Sequence, residues 1–243
     1  MIPTSENGLP EETTPGRKGR FITFEGGEGT GKSTHTATLA ERLRGLRLDV
    51  VLTREPGGSP GAEIMRHVLL SGAARPFGSV AEALLFAAAR DDHLNVTIRP
   101  ALERGAWVVC DRFTDSTRVY QGVAGEVDER TIRALERIVV GPTRPDLTII
   151  LDVPAAQAMH RAAERRGKGG ADRFEAEDIA FHERLREGFL ALAEREPERC
   201  VLVDATRPKE AVAQDIWRAV SERLKSGLPL PLQMRAGRHE PRG

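Results

Sequence analysis

Five short apolar runs recur along the chain, at 20–26 (RFITFEG), 49–55 (DVVLTRE), 106–112 (AWVVCDR), 146–153 (DLTIILDV) and 200–205 (CVLVDA). Each is rich in Val, Ile, Leu and Thr and nearly continuous rather than alternating, the pattern of strands covered on both faces of a parallel sheet. Between them apolar residues fall at helical spacing, as with Leu39, Leu43 and Leu46, or Ile132, Leu135 and Ile138. Strands separated by helices imply repeated βαβ units. The expectation is an α/β fold, an open parallel five-stranded sheet with helices on both faces. No repeat or linker divides residues 19–225, which read as one domain. Polar, Pro/Gly-rich residues 1–18 read as a disordered leader, and residues 226–243, with three prolines and no periodicity, as a mostly disordered tail.

Four of the runs end in, or just before, charged residues: Glu25, Arg54–Glu55, Asp111–Arg112 and Asp152. In open α/β sheets ligands sit beyond the carboxyl ends of the strands, so several charges converging on one edge favour a site there. The first run leads into GGEGTGKS (26–33), which matches G-x-x-x-x-G-K-[ST] with a strand before it and a helix after it. The motif assigns nucleotide phosphates to Gly26, Gly27, Glu28, Gly29, Thr30, Gly31, Lys32 and Ser33. Its glycines aim successive N–H groups inward at the positive end of a helix. Lys32 reaches the outer phosphates and Ser33 can ligate Mg²⁺. Glu28 is discordant. A carboxylate about 4 Å from a phosphate charge costs roughly 4 kcal/mol at a surface-like effective dielectric. Its side chain is therefore expected to face away from a bound triphosphate.

A phosphate loop does not define a reaction. No N-K-x-D guanine reader occurs, and LLSGAARPF (69–77) lacks the second Gly and the Gln of a transport-ATPase signature. The second acidic strand ends in Asp111–Arg112 rather than the Asp-Glu usual in motor ATPases. An arginine beside a metal-proximal aspartate suits a second phosphate, carried by an acceptor.

DRFTDSTRVYQG (111–122), with TREPGG (53–58) and FAAAR (86–90), resembles the bacterial thymidylate kinase family, in that family's order around the loop and across most of residues 20–220. The resemblance implies a P-loop nucleoside monophosphate kinase-like domain using ATP and Mg²⁺ to phosphorylate thymidine monophosphate. It implies that Asp111 helps hold the metal and Arg112 grips the acceptor phosphate. Phe86 would stack on thymine and Arg90 bond a base carbonyl; four residues apart, they share a helix face. Arg54, Thr117, Tyr120 and Gln121 would line the acceptor pocket, Tyr120 crowding a ribose 2′-hydroxyl. Glu28 would accept from the acceptor's 3′-hydroxyl. By periodicity alone Phe86 is helix core, and Tyr120 could equally be a packed aromatic.

Residues 161–174 (RAAERRGKGGADRF) surround a glycine-rich centre with positive charge. A solvated loop is the simple reading. The resemblance implies a lid that supplies the catalytic arginine, with Arg165, Arg166 and Arg173 as candidates. A well-placed arginine contributes about 10³–10⁵ in rate to phosphoryl transfer. Arg207, after the last strand, lies where related kinases rest adenine.

Lys and Arg total 36, as do Asp and Glu, so the net charge is zero and coating nucleic acid is disfavoured. The longest purely apolar run, Ala83 to Ala89, is far short of the ~20 residues needed to span a bilayer. Two cysteines and no export signal point to a reducing cytoplasm. The six histidines show no ligand spacing. The resemblance adds a homodimer. Against the kinase stand a deoxynucleoside kinase, which needs a carboxylate base instead of Arg112, and a nucleic-acid-coupled ATPase, which needs a basic stripe.

Overall fold

The computed structural model describes residues 19–166 and 173–229. The expected leader, residues 230–243 of the expected tail and 167–172 of the expected lid lie outside the described residues, as does the side chain of Arg166. Strand β1 (Phe21–Glu25) leads through the glycine-rich loop into α1 (Lys32–Gly45), then β2 (Val50–Arg54) and α2 (Pro60–Leu70). Helix α3 (Gly78–His93) continues through a π-helical stretch, Leu94–Ile98, into α4 (Arg99–Glu103). After β3 (Trp107–Asp111), α5 (Thr114–Thr117) runs into a second π-helical stretch, Arg118–Ala124, followed by α6 (Glu129–Val139). The chain completes with β4 (Leu147–Asp152), α7 (Ala155–Arg166), α8 (Ile179–Arg195), β5 (Cys200–Asp204) and α9 (Lys209–Arg223).

All five strands are parallel, in the order β2-β3-β1-β4-β5. The five apolar runs thus become five strands. Register brings their carboxyl ends level, with Asp111 opposite both Phe24 and Arg54. Alternate residues of β1 serve opposite faces: Ile22 and Phe24 pack with Leu39 and Leu43 of α1 and Val212, Ile216 and Val220 of α9, while Phe21 packs with Leu94, Ile98 and Phe113. Fully burying one such side chain stabilises the fold by about 1.5–3 kcal/mol.

One expectation from the apolar pattern is corrected. Continuous burial holds for the central strands, but β2 and β5 expose Leu52 and Leu202, because edge strands are only partly covered. On α6, Ile132 is buried but Ile138 is 80% exposed. Each i+3 step turns about 60° backwards around a helix, so two steps carry Ile138 roughly 120° away from Ile132. At the other end of the chain, a 3₁₀ turn at Lys225–Gly227 follows α9, where Ser226 accepts from Arg20 and Leu228 packs on the core.

Candidate active site

The loop after β1 is shaped by close backbone approach. Gly29 has φ +72°, and a Cβ there would lie 1.9 Å from the Ala158 carbonyl oxygen of α7. No larger residue fits, and only glycine takes that angle without strain. Helix α1 then begins with no side-chain cap and no acidic residue in its first turn, leaving its N–H groups and positive dipole end to an anion. Lys32 is buried, with Nζ donating to the carbonyls of Gly26 (3.1 Å) and Gly27 (2.6 Å). Burial foremost, with Arg112 adding to it, lowers its pKa to about 8 against the pull of Glu28, Asp111 and Glu25. Beside it Ser33 Oγ donates to Asp111 Oδ2 at 2.6 Å.

A cavity of about 320 Å³ opens at the carboxyl edge of β1, β2 and β3, within the usual range for small-molecule sites. From the loop, Glu28, Gly29, Gly31, Lys32 and Ser33 reach it. Opposite them stand Arg54, Phe86, Arg90, Thr117, Tyr120 and Gln121, with Asp111 and Arg112 between. Gly26, Gly27 and Thr30 instead line a second, smaller cavity behind the loop.

Arg112 joins the two sides. Its backbone is left-handed, φ 69°, a conformation costing a non-glycine residue about 1–2 kcal/mol. That turn carries the side chain back across the loop. Nη1 donates to the Gly26 carbonyl (3.0 Å) and Ser116 Oγ (3.1 Å), and Nη2 to Glu28 Oε1 (2.5 Å). The guanidinium also lies over the Tyr120 ring, 5.0 Å from its centroid. Tyr120 donates its hydroxyl to the same Glu28 oxygen at 3.2 Å. Burial opposes ionisation of Glu28, but Arg112, then Lys32 and the Tyr120 hydroxyl, hold its carboxyl down at about 2. Glu28 is therefore an anion held on the Arg112–Tyr120 side of the loop.

Beneath this cluster Glu25 ends β1, buried, and accepts from the N–H of Phe113 (2.8 Å) and the hydroxyl of Ser116 (2.6 Å). Burial and neighbouring Asp115 push its pKa up to about 7, against Ser116 and Arg112. Arg90 is likewise enclosed. Its Nε donates to Glu55 Oε2 at 2.7 Å, and Nη2 to Phe113 O and Thr117 Oγ1, both at 3.1 Å. Glu55 also meets buried His93 at 3.1 Å. Phe86 is only half-buried, its ring 6.1 Å from that of Phe174, so it is a cavity wall rather than plain helix core. Tyr120 and Gln121 sit on the second π-helical stretch, a local irregularity frequent at functional sites. Gln121 is buried with Nε2 lacking a protein partner. Arg54 is exposed and pairs with Glu63 at 3.0 Å.

The arginines beyond β4 divide. Arg165 lines the cavity, paired with Glu175 at 2.8 Å. Arg173 does not line it. Its guanidinium is held by Glu177 (2.5 Å) and Glu82 (3.3 Å) and stacks over Phe174. Arg207 is also absent from the cavity wall and pairs with Asp215. Sequence reasoning singled out neither Glu55, Ser116 nor Phe174, all of which the structure brings to the wall. Glu55 carried a hint as a charged strand end; Ser116 and Phe174 lay inside quoted motifs without a reason to choose them.

Among the described residues no three His, Cys, Asp or Glu side chains cluster to hold a metal, and no single helix is long and apolar enough to cross a membrane. A family sequence model described as "Thymidylate kinase" matches residues 24–216. The thymidylate kinase of Nitrobacter winogradskyi is 58% identical over 207 residues, covering 85% of this chain and 90% of its own. That of a Bradyrhizobium species is 59% identical over 210 residues, 86% and 92%. The crystal structure of thymidylate kinase from Ehrlichia chaffeensis superposes with a TM-score of 0.69 at 32% identity, covering 84% of this chain and 99% of that one.

Proposed function

Because the chain belongs to the thymidylate kinase family, we propose that it transfers the γ-phosphoryl group of ATP to thymidine monophosphate, giving thymidine diphosphate. The observation that carries the reading is Arg112, a fixed cation bridging the phosphate loop and the second cavity wall through Gly26, Glu28 and Tyr120. A guanidinium fork there binds the acceptor phosphate and brings it to the donor. The acceptor is already anionic and needs charge shielding rather than a general base. Lys32 and the amino end of α1 hold the donor phosphates. Phe86, Arg90, Thr117 and Gln121 form the base pocket, and Glu28 and Tyr120 face the sugar. Arg165 is the lid arginine that neutralises the transferring group, a role supported by its place in the cavity wall. Arg173 and Arg207 have no such support.

Ser33 and Asp111 supply two adjacent hard oxygen donors at the loop's mouth, a pairing that suits Mg²⁺ completed by phosphate oxygens and water. When bound, the ion shields charge on the phosphates. A homodimer is supported by exposed Ile64 on α2, Val80 and Leu84 on α3 and Ile138 on α6, helices packed against one another. Buried, unpaired Cys110 and Cys200 suit a reducing cytoplasm.

The test is coupled ADP release with ATP and Mg²⁺, comparing thymidine monophosphate with deoxyuridine, uridine and cytidine monophosphates and with thymidine. Preference for thymidine monophosphate supports the reading. Preference for thymidine would replace it with a nucleoside kinase.

A further inference from the structure

Behind the phosphate loop, the second cavity has about 20 Å³ of room for a water centre, enough for one molecule. Its walls include Gly26, Gly27, Glu28 and Thr30 of the loop and His182 of α8. His182 is buried, and its Nε2 has no protein partner. The ring does have a hydrogen bond to the backbone of Glu177, of a kind that favours its protonated form. A carbonyl only accepts, so Nδ1 carries the proton and Nε2 presents a lone pair. Burial foremost holds the ring's pKa below its ordinary value, although Glu28, Glu177 and Asp178 oppose the shift, so the imidazole is neutral at pH 7. A buried acceptor left without a donor is unfavourable, and one water in this cavity can donate to Nε2 and bond the loop backbone at once.

We propose that His182 is a positioning residue for donor binding: its Nε2 accepts a hydrogen bond, through one ordered water, from the phosphate loop and so fixes the loop's shape. The same residue reaches the opposite side of the site through the chain. Glu177, whose carbonyl holds Nδ1, uses its carboxylate to hold Arg173, and Asp178 caps α8 by accepting from the N–H of Phe181 at 2.8 Å. His182 thus ties the loop to the segment that leads into α8. It touches no substrate and acts only through the loop.

Two amides separate positioning from mere packing. In His182→Gln the amide oxygen reaches the place of Nε2; in His182→Asn the amide stops near Nδ1 and the far acceptor is lost. The readout is the Kd of the methylanthraniloyl derivative of ATP, with thermal unfolding beside it. Asn should weaken binding at least fivefold, and Gln should stay within twofold of the unaltered chain. Equal weakening in both, in step with their unfolding temperatures, would make His182 a packing residue and overturn the proposal. So would unaltered binding in His182→Asn. If that variant does not fold, His182→Phe replaces it with the same expectation. The inference rests on the ATP-dependent reading, but donor binding needs no acceptor. A chain that bound ATP and did not phosphorylate thymidine monophosphate would sink the kinase assignment alone.

Discussion

The two sides of the cavity hold their arginines differently. Arg90 and Glu55 form an ion pair with side chains only 5% and 4% exposed, and Arg112 is locked by contacts to the phosphate loop, Ser116 of α5 and the Tyr120 ring. Across the cavity Arg165 is 59% exposed and, among the described residues, pairs with Glu175. The wall that carries Arg90 and Arg112 is thus built into the fold, where removing one charge strands another. The Arg165 guanidinium lies largely in solvent, where such a contact is screened and worth about 0–1 kcal/mol. On the proposed roles, recognition and charge neutralisation are therefore separable, one tied to stability and the other nearly independent of it.

The sharpest way to break that contrast is Arg165→Ala. Its kcat should fall about 10³-fold or more, with the urea midpoint almost unchanged. Arg173→Ala should cost less than tenfold in kcat, and a larger loss there would reverse the ranking of the two. Arg112→Ala comes next, with kcat/KM down about 10²–10⁴-fold in the ADP-release assay, since two charged hydrogen bonds at about 1.5–3 kcal/mol each are lost. Arg90→Ala leaves Glu55 buried beside only His93, so urea denaturation should show a loss of about 3–5 kcal/mol. If Arg90→Ala instead unfolds like the unaltered chain, the acceptor wall is not integral to the fold.

The smallest effect is the dependence on pH. Glu25 has a folded pKa of about 7, above its unfolded value of about 4.5, so the folded state keeps its proton longer. Its contribution is full below pH 4.5 and is lost as pH rises through 7, at most about 3 kcal/mol. Glu28 has the opposite sign. Held at about 2, it stabilises above pH 4.5 and loses that effect as pH falls towards 2. Between pH 5 and 7 only Glu25 of the two changes, so stability should decline there, and Glu25→Gln should flatten that decline in urea midpoints taken across the range.

What sequence could reveal about this site follows the range of the interactions. The phosphate loop is legible because its strand, glycines, lysine and helix lie within about one βα unit, where spacing alone implies geometry. The sheet is legible because buried parallel strands need apolar runs, except at the edges, where Leu52 and Leu202 meet solvent. Glu25 and Glu55 were visible only as charged strand ends. Their partners, Ser116 and Arg90, lie 91 and 35 positions away, and no local pattern says which carboxylate meets which donor. The candidate arginines of residues 161–174 were indistinguishable for a related reason. Arg173 is captured by Glu82, a residue on α3 whose burial comes only from packing.

The left-handed backbone of Arg112 has a consequence for how this protein can change. Glycine at that position would relax the turn but strand Glu28, whose carboxylate Arg112 holds ionised, and would delete the cation proposed to bind the acceptor phosphate. Backbone relaxation and charge pairing therefore pull this codon in opposite directions. A library enriched only for thermal resistance would reach glycine there together with a neutral residue at position 28, losing both groups proposed to face the acceptor.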